Sequence, residues 1–169
     1  MPNDGRIAPN LRIFMHAHFE AIISDFEKKL ADLLASAAYG FGQVPIGIPK
    51  AGVYLFTENG RHLYVGRSNR LRERYFLHCR PGSQHNQASF AYKLAREELG
   101  LGRASYSPAG SRAAIATSEP FAPAFEAAKA RIRSMEYRFL GEPSQAHQAL
   151  FEAYCALVLD TPYNDFDTH

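Results

Sequence analysis

The chain has 169 residues, 46% hydrophobic, 12% aromatic and 21% charged, which suits one globular domain and excludes long disorder and collagen-like repeats. Its net charge of +2 is unevenly spread: residues 61–80 hold Arg61, Arg67, Arg70, Arg72, Arg74 and Arg80 against Glu73 alone, while residues 1–60 and 81–169 are slightly acidic. Cys79 and Cys155 form no CxxC pair, the polar start Met1-Pro2-Asn3-Asp4-Gly5 carries no secretory signal, and no run of about 18 apolar residues exists, so disulfides, zinc sites, secretion and membrane spans are not expected and a reducing, cytoplasmic setting is.

In chain order, residues 1–9 read as a loose tail. Residues 10–38 place Leu11, Phe14, Met15, Phe19, Ile22, Ile23, Phe26, Leu30, Leu33 and Leu34 at helical spacing, which predicts one long amphipathic helix. Residues 40–51 are a Gly/Pro-rich connector. Residues 52–57 and 61–66 are β-rich, and Glu58-Asn59-Gly60 between them is a strong hairpin signal, since both turn residues must accept positive φ. Ser68 is placed to cap a helix over about 69–79, on which Arg70, Arg74 and His78 recur every fourth residue. A polar loop (81–88), a helix (89–99) stopped by Gly100, and a loop with a short helical piece (101–118) follow. Residues 120–130 are helical, residues 131–140 alternate as a strand, and residues 144–159 form a last helix, with Leu150, Phe151, Tyr154, Leu157 and Val158 on its apolar face. The expected fold is α/β (α+β): a small three-stranded, mainly antiparallel sheet flanked by helices. Residues 1–50 form an N-terminal helical extension, and residues 51–169 form the main domain with a helical insertion at about 80–130.

The hairpin carries Gly52-Val53-Tyr54 on one strand and Tyr64-Val65-Gly66 on the other. With Arg74 ten residues past Tyr64, a later helical Glu152 and a closing Asn164, the chain resembles the GIY-YIG nuclease superfamily over about residues 51–166. Arg67 fits the basic position after the second tripeptide, and His78 fits the His/Tyr position one turn beyond Arg74. The stretch of about 50 residues between His78 and the third strand is longer than the compact family core needs. The resemblance implies a metal-dependent endonuclease acting on DNA rather than RNA.

Phosphodiester cleavage needs an activated water, neutralised phosphate charge and help for the leaving oxygen. Arg74 and Arg67 suit the phosphate, since a guanidinium fork matches its oxygens. Arg70 and Arg72 extend that basic surface along the nucleic acid. Glu152 is a hard oxygen ligand for Mg²⁺ or Mn²⁺, and the lack of a paired carboxylate motif favours one metal over two. Tyr54, Tyr64 and His78 are all candidates for the base. A tyrosine of pKa about 10 needs roughly 3.4 kcal/mol to reach about 7.5, and a guanidinium about 4 Å away supplies on the order of 4 kcal/mol. Asn164 orients the site. Two other classes compete with the enzyme: a nucleic-acid-binding module that keeps the fold without useful catalysis, and a helical interaction protein working through residues 10–38. A homodimer is expected if both strands are cut.

Overall fold

The computed structural model describes residues 16–102 and 110–164. Its helices are α1 (Ala17–Ile23), α2 (Phe26–Ala35), α3 (Leu71–Cys79), α4 (Ser89–Glu98), α5 (Arg112–Ala116), α6 (Phe121–Arg133) and α7 (Gln145–Val158). Its strands are β1 (Gly52–Glu58), β2 (Arg61–Ser68) and β3 (Glu136–Gly141), joined as one antiparallel sheet of order β2-β1-β3. The expected α+β architecture is therefore present. No helix among the described residues is long and apolar enough to cross a membrane.

The β1–β2 turn is the predicted one, with Asn59 at φ 51° and Gly60 at φ 78°. Those angles match the twist of a two-residue hairpin. Because β1 is central, side chains on both its faces are buried, and alternation sends them to two different cores. Val53 and Leu55 join Val65 under Phe26, Leu30 and Leu33 of α2 and Phe151, Cys155 and Ala156 of α7. Tyr54 and Phe56 join Tyr64 and Tyr137 under Tyr75 of α3, Phe90 and Leu94 of α4 and Ile132 of α6. Phe121 and Phe125 of α6 also stack in this second core, as their four-residue spacing implies. Both cysteines are free and buried, and burial raises the Cys79 thiol to about 11 and the Cys155 thiol to about 12.

Three sequence expectations are corrected. The single helix over 10–38 is two helices that break at Ser24-Asp25, with residues 10–15 outside the described residues. The Ser24 hydroxyl donates to the Ala21 carbonyl at 3.0 Å, closing α1, and Asp25 starts α2. The strand expected over 131–140 begins only at Glu136, because Phe125, Ala128 and Ile132 continue the helical period and keep residues 131–133 in α6. Pro123 sits within the first turn of α6, where its missing N–H costs no hydrogen bond. Leu157 and Val158 are exposed rather than core-facing, because Phe151, Cys155 and Ala156 form the buried face of α7 and turn Leu157 to an open groove beside Phe19 and Ile23. The predicted tail (1–9) and part of the 101–118 loop (103–109) lie outside the described residues.

Candidate active site

The two tripeptides owe their glycines to crowding. A Cβ on Gly52 would lie 2.0 Å from the Leu140 carbonyl oxygen of β3. A Cβ on Gly66 would lie 2.3 Å from Cζ and Oη of Tyr54. The bare Gly66 backbone is thus the floor over which the Tyr54 ring crosses from β1 to reach α3.

On α3, Leu71 and Tyr75 turn into the core, and the adjacent stripe presents Arg74 and His78 to Tyr54. Tyr54 Oη lies 2.8 Å from His78 Nε2 and accepts from Arg74 Nε at 3.3 Å. A guanidinium can only donate. Arg74 therefore donates to Tyr54, and the His78 tautomer sets which of the phenol and the imidazole donates in the second bond. Burial is the main force on both rings: it holds His78 neutral, its pKa well below the usual histidine range, and drives the Tyr54 phenol well above 10 despite Arg74. His78 Nδ1 is buried with no hydrogen-bond partner among the described residues. Tyr64 closes the other wall, its ring stacked on Phe90 at 4.8 Å and 6.3 Å from the Tyr54 ring.

Arg74 is held in a three-way bracket. Besides Tyr54 it donates to the Gln87 carbonyl at 2.9 Å and to Ser89 Oγ at 3.1 Å. The loop that carries Gln87 is anchored from below: the buried Lys129 of α6 donates to the Pro81 and Ser83 carbonyls at 2.5 and 3.2 Å. Every one of these acceptors on Arg74 is neutral, and among the described residues no carboxylate pairs with it. A half-buried guanidinium with only neutral acceptors keeps its positive charge available to an anion.

Glu152, on α7, reaches the same place from beyond β2. Its Oε2 accepts from Arg67 Nε at 2.9 Å. Burial raises the carboxyl pKa, and Arg67, Arg74 and Lys93 pull it back, so all three cations act on this acid. Asn164 pins the strand between them: its amide donates to the Val65 carbonyl and its carbonyl accepts the Val65 N–H, both at 2.8 Å. Thr161 Oγ1 fixes that amide at 2.9 Å. Asn164 therefore acts as a one-residue extension of the sheet beside Tyr64 and Gly66.

Tyr54, Tyr64, Arg67, Arg74, His78, Glu152 and Asn164 converge on one end of the hairpin. Arg72 does not join them, and Arg70 meets only Arg67 and Arg74, at a surface depression. Arg70 holds the N-cap position of α3 and pairs with Glu73 at 3.0 Å, while Ser68 Oγ accepts the Arg70 N–H instead of capping the helix itself. The expectation that Arg70, Arg74 and His78 project together is corrected: only the last two turn inward. The Arg72 guanidinium lies 5.0 Å over the Phe76 ring. Arg70 borders both a polar depression of 230 Å³ shared with Arg67 and Arg74 and a 660 Å³ groove shared with Arg72, Lys50 and Arg80.

Lys93, Gln87 and Ser89 border these residues and were missed by sequence reasoning. Lys93 Nζ donates to the Tyr163 carbonyl at 2.7 Å and lies 6.0 Å from the Tyr64 ring centre. Its signal was its place on α4 between the buried Tyr92 and Leu94. Among the described residues no three His, Cys, Asp or Glu side chains group as a metal cage. Glu152 alone could offer a hard oxygen ligand, and a lone carboxylate would suit Mg²⁺ or Mn²⁺, which keep several waters. Comparison of the chain with family models, with curated proteins and with solved structures finds no match.

Proposed function

We propose that this chain is a divalent-metal-dependent endonuclease that hydrolyses DNA phosphodiester bonds. The observation that carries the reading is Arg74: a guanidinium bracketed by neutral acceptors, beside two phenols, and close enough to Glu152 to oppose the rise that burial causes in its pKa. A scissile phosphate is the anion that completes it. A metal ion on Glu152 would supply Lewis-acid help to the leaving oxygen.

The chain's own groups divide the remaining work. Arg74 binds the phosphate and stabilises the charge that develops on it. Arg67 balances the Glu152 carboxylate in the free protein and is freed toward the phosphate when that carboxylate is engaged elsewhere. Tyr54 is 1% exposed and His78 0%, so neither meets a water directly; together they orient Arg74. Tyr64, 9% exposed at the wall of the site, is left as the base that touches the attacking water. Asn164 holds the β2 backbone from which Tyr64 and Arg67 project.

The test is nicking of supercoiled plasmid by the full chain with Mg²⁺ or Mn²⁺. The reading expects nicking that stops with chelator and is lost in Arg74→Ala and Glu152→Gln. DNA binding without any nicking would instead support the binding-module alternative, and wild-type rates in both variants would refute the mechanism.

A further inference from the structure

Arg112 opens α5, within the helical insertion and far in sequence from the hairpin. Its guanidinium lies 4.2 Å over the Tyr92 ring, and one of its amino groups donates to the His85 carbonyl. Its Nε is buried with no hydrogen-bond partner. Among the described residues no carboxylate pairs with it, and the neighbouring stretch 103–109 (RASYSPA) contains no acid. Its charged neighbours are of its own sign. Burial is the main penalty on its charge, the phenols of Tyr92 and Tyr64 oppose it, and repulsion from Arg96 and Arg74 adds to it. A half-buried cation with an idle N–H, held among other cations, is a poor structural device: a Gln or Met would fill the place at less electrostatic cost. It is a good receptor for an anion that arrives later.

Resting on the nuclease reading of the neighbouring site, we infer that the insertion supplies a second phosphate subsite, in which Arg112 holds a backbone phosphate adjoining the one held by Arg74. Both arginines are fixed to the same loop, Arg74 through the Gln87 carbonyl and Arg112 through the His85 carbonyl. Both also act on Tyr64. The loop and Tyr92 therefore set the spacing of two positive forks along one strand. The ligand class is a polynucleotide backbone, since one isolated phosphate would engage only one of the forks. The role of the insertion is grip and register on the strand, while the hydrolytic groups stay on the hairpin, α3 and α7.

The experiment measures binding of a short DNA duplex to the full chain without divalent metal, over a range of salt concentrations. Arg112→Met keeps length and packing on Tyr92 but removes the charge; Arg112→Lys restores it. Arg112→Met is expected to lower affinity on the order of tenfold or more and to flatten the log affinity against log salt slope by about 0.9, one phosphate contact. Arg112→Lys is expected to recover the slope. Should Arg112→Met fail to fold, the wild-type protein still decides: the Arg112 Nε–H resonance must shift on titration with duplex. An unchanged salt slope in folded Arg112→Met, or an Arg112 resonance that stays fixed while that of Arg74 moves, overturns the inference. Failure of the nuclease reading looks different, since binding with the Arg112-dependent slope would persist while metal-dependent nicking was absent.

Discussion

The two faces of the sheet are built from the same strand and serve opposite ends. On one, Val53, Leu55 and Val65 meet α2 and α7 in a core whose titratable side chains, among the described residues, are the buried Cys155 and the half-buried Tyr154. On the other, Tyr54, Phe56, Tyr64 and Tyr137 meet α3, α4 and α6 in a core laced with phenols, with His78 in ring contact with four of its members. That second core leaves Tyr75 Oη, Tyr92 Oη and His78 Nδ1 buried without partners. Unpaired buried polar atoms cost roughly 1–3 kcal/mol each. The aliphatic face gives the stability that lets the aromatic face keep polar groups poised near an exit to solvent. Substitutions on the two faces should accordingly separate folding from chemistry.

The largest separation is expected at Arg74. Arg74→Ala removes the single cation bracketed by Tyr54, Gln87 and Ser89, and the nicking rate is expected to fall about 10²–10³-fold, or about 3–4 kcal/mol, with the fold retained by circular dichroism. The mirror experiment is Leu33→Ala, which empties a fully buried site on the aliphatic face. It is expected to lower unfolding free energy by about 3 kcal/mol in urea titrations while leaving the nicking rate per folded molecule unchanged. Gly66→Ala joins the two faces' behaviours. The new methyl would meet Tyr54 Oη at 2.3 Å, so the phenol must leave Arg74. A loss of about 2 kcal/mol in stability and a fall in nicking are both expected, and stability lost with full activity would detach Tyr54 from the site.

Much of this division is legible in the sequence, because the hairpin sets it. The alternation of Val53-Tyr54-Leu55-Phe56 assigns the two faces and Asn59-Gly60 places the turn, but the pairing slips by one residue between Phe56 and Thr57, and that slip, which the sequence does not announce, brings Tyr64 onto the face of Tyr54. Glu152 and Asn164 reach the site by long-range packing, which the resemblance to a known pattern anticipates and periodicity alone does not. The break at Ser24-Asp25 was hidden because the apolar period runs through it. The late start of β3 was hidden because the polar-apolar alternation of Met135, Glu136 and Tyr137 extends backward into residues that also satisfy a helical period. Arg112 could not be read, and Lys93 offered only its place between two core-forming neighbours. Each lies on a helix whose apolar positions dominate the pattern, and the setting of a cation depends on which groups the fold brings beside it.

The aromatic face also predicts a pH response that the aliphatic face lacks. His78 is buried and held neutral, chiefly by burial and secondarily by Arg74, so its folded pKa is depressed. In the unfolded chain a histidine takes up a proton near pH 6.5. Below that point the unfolded state binds more protons than the folded one, so the contribution of His78 is present above about pH 6.5 and is lost as pH falls. His62 and His85 are depressed as well and act with the same sign, whereas Glu152, raised by burial, acts with the opposite one. Unfolding free energy is therefore expected to decline from pH 7.5 toward pH 5.5, with each histidine adding at most about 1.4 kcal/mol per pH unit to the slope. In His78→Gln the decline should be shallower but not abolished, since His62 and His85 remain. An unchanged slope would mean that the imidazole takes up its proton inside the fold, with His78 then donating to Tyr54.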